Sequence, residues 1–360
     1  MTRKLIQKTI YVFLIIFNIS VLSANIRAVW VPLWELTSSE DVDRIIEEFK
    51  ENKINQILAQ VRYRGDAGYF PNKYNDFYPN PEKKYFAIKD SIFDPLAYLV
   101  KKAHSSDMKV LAWFTTFVIT GHKLDNLDST HVYFTHPEWV TTDFSQQSMN
   151  PETFEGAFLD PGIPEVRNYT LSVLLDIVAN YDVDGVHLDY IRYTETQFGY
   201  NKLAIETYKK EVKYQDAKSW QAWKQDQISK FVKTVYTNVK TISPEIKVTA
   251  AVITEIDEAI DRYSQNWLEW IENDYIDAVY LMAYTTSTKK LKKQLTYISN
   301  FEMNNKIVVG LRTWNNKNNY PAKEINEKIK LTRKMKFAGF ALFSYSGIRQ
   351  EEYFKSLKIK

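Results

Sequence analysis

The stretch Asp184-Gly185-Val186-His187-Leu188-Asp189-Tyr190-Ile191-Arg192-Tyr193 decides the fold. Val186 and Leu188 read as the buried positions of a short strand, His187 points to the opposite face, and Asp189 falls where the strand stops. Tyr181-Asp182-Val183 leads in from a helical segment. A short buried strand after a helix, ending in a carboxylate, is what a parallel α/β barrel shows at the strand end that faces its active site. Taken alone, the same pattern also describes a surface aspartate in a strand-to-helix loop.

Working outward, the chain alternates strand and helix. Apolar runs at 28–33, 56–61, 109–114, 185–188, 247–253, 278–282, 307–311 and 339–343 give eight strands. Between them, 38–52 opens with Ser-Ser-Glu-Asp and repeats Val42, Ile45, Ile46 and Phe49 on one helical face. Asp94-Pro95 starts a second helix, with the aspartate as cap and the proline in the first turn. Helical patterns follow at 164–181, 219–241, 263–273, 289–300 and 322–336. This alternation predicts a single (β/α)8 barrel over 26–360, with long loops after strands 2, 3 and 4 that shape a cleft.

Composition narrows the function. A net charge of +3 is too small to argue for nucleic acid. The 360 residues contain no cysteine, which excludes disulfides, thiol catalysis and an acylated-cysteine anchor. With 24 Tyr, 20 Phe and 9 Trp, aromatic rings are plentiful enough to serve both a core and stacking platforms for sugar rings. The five histidines make no HExxH pair or compact ligand set, so no metal is expected. There is no G-x-S-x-G elbow, Walker loop or G-x-G-x-x-G, so no nucleotide cofactor is expected. Arg3, Lys4 and Lys8 precede an apolar run and small residues at Ser23-Ala24, which reads as a signal peptide over 1–24 and as export to the periplasm or medium. An uncleaved membrane anchor is the alternative reading of that segment.

The predicted strand ends deliver one residue set: Trp34 and Glu35, then Arg62, Arg64, Asp66 and Tyr69, then Trp113, then Asp189, Arg192 and Tyr193. Further round come Glu255, Tyr284, Arg312 with Trp314, and Tyr345. Flat rings with charged forks suit a polysaccharide. Glycosidic hydrolysis takes two carboxyl groups, one as acid and the other as nucleophile or base. Asp189 is expected as nucleophile or base, kept ionised by Arg62 or Arg192. Glu255 is the first candidate for its acid partner; Asp66, Asp160 and Glu35 compete. Each of these carboxylates could equally be a cap or a loop ion pair.

Several spaced segments carry a family resemblance. Arg27-Ala28-Val29-Trp30-Val31 opens the barrel, and Gln60-Val61-Arg62-Tyr63-Arg64-Gly65-Asp66-Ala67-Gly68-Tyr69 fits Q-V-R-x-x-G-D-A-x-Y. Phe93-Asp94-Pro95-Leu96 with Ala103-His104, His136-Pro137-Glu138-Trp139, and Leu159-Asp160-Pro161-Gly162 follow in order. The 182–193 stretch fits D-V-D-G-x-x-L-D-x-I-R-Y, and Gln265-Asn266-Trp267 and Met282-Ala283-Tyr284 close the series. Together they resemble the glycosyl-hydrolase-like 10 family of exported bacterial barrel proteins. The resemblance implies a glycosidase that cuts peptidoglycan glycan strands, with Asp189, Arg62, Asp66 and Tyr284 in its site. Phe114-Thr115-Thr116-Phe117 departs from the family's polar pattern at that loop. A carbohydrate-binding barrel without catalysis is the second reading.

Overall fold

The computed structural model describes residues 26–315 and 320–359. Eight parallel strands close on themselves: β1 Ile26–Val31, β2 Gln56–Tyr63, β3 Lys109–Thr115, β4 Gly185–Asp189, β5 Lys247–Val252, β6 Ala278–Met282, β7 Ile307–Arg312 and β8 Gly339–Phe343. Each pairs with its sequence neighbour, and β8 returns to β1 through Ile26↔Gly339 to Trp30↔Phe343. The eight expected strands are these eight, and the fold is a (β/α)8 barrel. The expected signal segment lies outside the described residues.

Side chains alternate along each strand, as period 2 requires. One set fills the barrel: Ala28, Trp30, Leu58, Leu111, Trp113, Tyr280, Val308 and Ala341. The other set, including Val29, Ile57, Val110, Val186, Leu188 and Val248, packs outward under the helices. Leu188 outside fixes His187 and Asp189 inside. His187 is fully buried, accepts from Trp30 Nε1 at 3.1 Å, and lies 2.9 Å from Thr249 Oγ1. Burial pushes its pKa down to about 3, so it is neutral. Because Nε2 accepts, Nδ1 carries the proton and donates to Thr249.

The helices cover the strands by local rules. In helix Ser39–Glu51, Ser38 accepts from the Asp41 amide, and Val42, Ile45, Ile46 and Phe49 are buried. Each of those side chains contributes roughly 1.5–3 kcal/mol by leaving water. Asp94 caps helix Pro95–His104 through the Ala97 amide. The helix expected over 263–273 is instead two, Ile256–Tyr263 and Trp267–Glu272. Ser264 between them is left-handed (φ 55°), which ends the first, and Asn266 caps the second by accepting from the Glu269 amide. The Gln265 side chain is buried there, bonding the backbone at Ile253, Ile191 and Ala251. No periodicity rule anticipates that plug.

The three long insertions lie at the strand C-terminal end, as expected. The one after β2 turns back as Asp66–Ala67 against Arg62 and Tyr63. Those after β3 and β4 are stitched together by bridges such as Asp143↔Phe198.

Candidate active site

Asp189 ends β4 with its carboxylate at the barrel mouth, and it is 6% exposed. Trp113 of the neighbouring strand donates its indole N–H to Oδ2 at 3.0 Å. The Tyr190 amide donates to Oδ1 at 2.7 Å. Tyr190 itself is left-handed (φ 52°), a conformation that costs on the order of 1 kcal/mol and is typical of functional turns. Burial raises the Asp189 pKa; the Arg192 charge and the two N–H donors oppose this, while the Glu155 charge adds to it. The result is an oriented carboxylate that takes a proton more readily than a surface aspartate does.

Aromatic rings surround it. Tyr284 stacks on Phe343 (5.0 Å between centroids) and meets Trp314 edge-on at 5.4 Å. Its hydroxyl pKa is raised first by burial and then by the charge of Asp189. Arg312 lies over the Trp314 ring at 4.6 Å and donates from Nε to the Trp314 carbonyl at 2.7 Å. Trp34, at the end of β1, is 47% exposed; its ring meets Tyr63 edge-on and its indole N–H donates to Ser346 Oγ at 3.2 Å. These partly open rings are platforms for the C–H faces of sugars.

A second carboxylate approaches from the insertion after β3. Glu155 is exposed, and its Oε2 is 3.5 Å from Arg192 Nη2. Arg192 is held over the Tyr190 and Tyr263 rings at 4.8 and 5.1 Å. Arg64 reaches the same loop, donating to the carbonyl of Glu155 at 2.5 Å and that of Thr120 at 2.8 Å. Asp189, Glu155, Arg192, Arg64 and Tyr190 thus form one electrostatic group. Nothing in the sequence pointed to Glu155, because its position depends on how the insertion after β3 folds over the mouth rather than on any strand end. Its only local signal is Gly156 (φ 120°), where a Cβ would collide with the Thr120 carbonyl.

Five residues expected as substrate contacts turn elsewhere. Arg62 is fully buried, paired with Glu82 (Nε to both oxygens at 2.9 Å) and bonded to the Thr115 and Thr116 carbonyls. The register slips between Gln60 and Arg62, so Arg62 lies beside the outward Phe114 instead of following Gln60 inward. It therefore does not serve Asp189. Tyr69 is fully buried and accepts from Asn80 at 2.8 Å. Asp160 is fully buried; it accepts from Thr141 Oγ1, the Gly162 amide, the Tyr193 hydroxyl and the Asn201 amide, stapling two insertions together. Tyr193 is buried with it. Tyr345 points under helix Ser39–Glu51, donating to Glu48 at 3.1 Å.

The other proposed acids are also placed. Glu255 accepts from Gln294 at 2.7 Å and pairs with Lys290 at 3.4 Å, so it leans toward helix Thr288–Ser299 rather than toward Asp189. Glu35 is buried against Ser346 and Arg349. Asp66 opens into a separate cavity of about 270 Å³, shared with Asp128, His131 and Tyr169. Burial and the charge of Glu82 push its pKa up to about 7, against Arg62.

Comparison with known proteins fits this geometry. The family described as Glycosyl hydrolase-like 10 matches residues 25–333. Glycosyl hydrolase YngK of Bacillus subtilis (strain 168) is 26% identical over 245 residues, 62% of this chain and 44% of the relative. Glycosyl hydrolase DigH of Escherichia coli (strain K12) is 31% identical over 166 residues, 43% of this chain and 35% of the relative. The chain therefore spans less than half the length of these curated relatives. Among solved structures, the PgaB (BpsB) glycoside hydrolase domain from Bordetella bronchiseptica superposes with a TM-score of 0.71 at 13% identity, covering 92% of this chain and 97% of that one. Alpha-L-fucosidase isoenzyme 2 from Paenibacillus thiaminolyticus gives 0.60 at 13% identity, covering 89% and 46%; at such identities the likeness is one of fold. With the family match running from β1 into helix Ala322–Lys334, the chain belongs to the glycosyl hydrolase-like 10 family.

Proposed function

We propose that the protein is an exported glycoside hydrolase that cleaves glycosidic bonds in peptidoglycan glycan strands. The observation that carries this reading is the Asp189 carboxylate at the mouth, oriented by Trp113 and Tyr190, within the field of a second carboxylate, Glu155. Two N–H donors stabilise the ionised form of Asp189, and burial raises its pKa above that of a surface aspartate; both suit a base or nucleophile. Glu155, on a solvent-facing loop, serves as the acid that protonates the leaving glycosidic oxygen and is reloaded from water. Asp189 either attacks the anomeric carbon as the glycosidic C–O bond breaks, giving a glycosyl ester that water then hydrolyses with Glu155 taking the water's proton, or removes a proton from a water that attacks directly; on both routes one glycosidic bond is broken and one water consumed. Tyr284, Trp314, Trp113 and Trp34 hold the sugar rings, and Arg192, Arg312 and Arg64 bond their polar groups. The N-terminal 24 residues supply export.

A carbohydrate-binding barrel without turnover is the second reading, supported by the Arg192–Glu155 pair, which gives the second carboxylate a partner within the protein. Incubating the purified protein with intact and with amidase-treated sacculi, and reading products by mass spectrometry, decides between them. New reducing ends on either substrate, lost in Asp189→Asn, support hydrolysis. Retention on sacculi without any product supports binding alone.

A further inference from the structure

Apart from the barrel mouth, the insertion after β4 builds a second groove. Helix Lys202–Glu211 and the start of helix Ala217–Ile242 enclose a space of about 500 Å³. Tyr200, Tyr208 and Trp220 form its walls; Gln215 and Lys224 also line it. Tyr208 meets Trp220 edge-on at 4.7 Å, and Tyr200 lies nearly parallel to Trp220 at 5.6 Å.

Lys224 is the informative member. It is 2% exposed, and its Nζ sits over the rings of Tyr193 and Tyr200 at 5.3 and 5.4 Å. Among the described residues its ammonium has no hydrogen-bond acceptor. Asp160 is the acid whose charge reaches it, but the Asp160 oxygens already accept from Thr141, Gly162, Tyr193 and Asn201. Lys328 provides the contrast. It is also fully buried, yet it donates to the Thr286 carbonyl and the Tyr320 hydroxyl, each at 2.8 Å. Lys328 thus has its acceptors built in, and Lys224 does not. Two tyrosine faces offset part of the cost of burying the charge, but a ring face is not an oxygen acceptor. Burial lowers its pKa to about 8, which leaves it mainly cationic at neutral pH.

We infer that this groove binds a sugar bearing a carboxylate, with the acid on Lys224 Nζ and the ring body against Tyr200, Tyr208 and Trp220. A carboxylate supplies the acceptors that the ammonium lacks, aromatic walls suit a pyranose face, and Gln215 can meet a hydroxyl. The site is separate from Asp189 and does not depend on whether the mouth is catalytic.

N-acetylmuramic acid and N-acetylglucosamine share a ring and differ in a lactyl carboxylate, so titrating both by calorimetry tests the assignment, with inorganic phosphate as a third probe. The acid sugar is expected to bind roughly tenfold tighter or better, as a charge-assisted hydrogen bond would give. That preference persists in Asp189→Asn and Lys224→Arg and disappears in Lys224→Met. Equal affinity for the two sugars, a preference that survives Lys224→Met, or phosphate binding as tightly as the acid sugar would each overturn the proposal. Should Lys224→Met not fold, ¹³C reductive methylation of the wild type reads the same point. The acid sugar, and not the neutral one, must move a lysine resonance that Lys224→Arg lacks; if no such resonance moves, the proposal fails.

Discussion

The indole N–H of Trp113 donates to Oδ2 of Asp189 at 3.0 Å, so β3 orients the carboxylate that β4 carries. The bond favours the ionised acid, and its loss raises the Asp189 pKa further. In Trp113→Phe, the limb of the pH–rate profile set by Asp189 moves to higher pH, and kcat/KM on its acid side falls roughly tenfold. Asp189→Asn abolishes release of reducing ends while its thermal melt stays near wild type. A limb that does not move in Trp113→Phe would remove Asp189 from proton transfer.

Glu155 acts on the same carboxylate with the opposite sign. Its charge raises the Asp189 pKa, so Glu155→Gln shifts the Asp189 limb downward. As the acid, its removal costs about 10²–10⁴ in kcat, and azide or formate restores part of the activity of Glu155→Ala. Glu255→Gln should stay within about threefold of wild type, because Gln294 and Lys290 already occupy its carboxylate, and changes at such surface pairs are worth under about 1 kcal/mol. A kinetic comparison of the two variants checks this; a large loss only at Glu255 would reverse the assignment.

The barrel was legible because burial on two faces leaves a simple trace. Each strand is a short apolar run, and a capped amphipathic helix such as Ser39–Glu51 follows. Asp189 was legible because parity with Leu188 and the strand end together fix its direction. Arg62 also stands at a strand end, but parity holds only while register does, and the slip after Gln60 turns it outward. Beyond a strand end there is no parity to use, so Tyr193 and Tyr345 could not be told from mouth residues until the packing was known. Glu155 was hidden because its distance from Asp189 is set by contacts among insertions, which leave no periodic pattern.

Asp66 makes stability depend on pH. Its pKa is about 7 in the folded protein, against an unfolded value near 3.9. A raised carboxyl pKa stabilises the fold fully below the unfolded value, and that contribution is lost as pH rises through about 7. The loss amounts to a few kcal/mol at most, on the order of 1.4 kcal/mol per pKa unit. Asp66→Asn mimics the protonated acid. It should melt close to wild type at about pH 4.5 and above wild type at about pH 8.5, and calorimetry at the two pH values measures the difference. A constant offset between the two proteins would place Asp66 in water.

The Arg62–Glu82 pair predicts a loss of stability without a loss of chemistry. Arg62 is fully buried, and the Glu82 side chain is 1% exposed and also accepts from Tyr169 at 2.8 Å. Arg62→Met leaves a buried carboxylate without its counter-ion, which costs about 3–5 kcal/mol. Replacing both residues, as in Arg62→Met with Glu82→Leu, removes the orphaned charge and recovers much of that loss. Urea unfolding of the single and double variants measures the coupling. Because the Arg62 guanidinium is spent on Glu82 and on the backbone after β3, turnover per folded molecule should match wild type well below the melting transition. Native stability with lost turnover in Arg62→Met would instead return this side chain to the mouth.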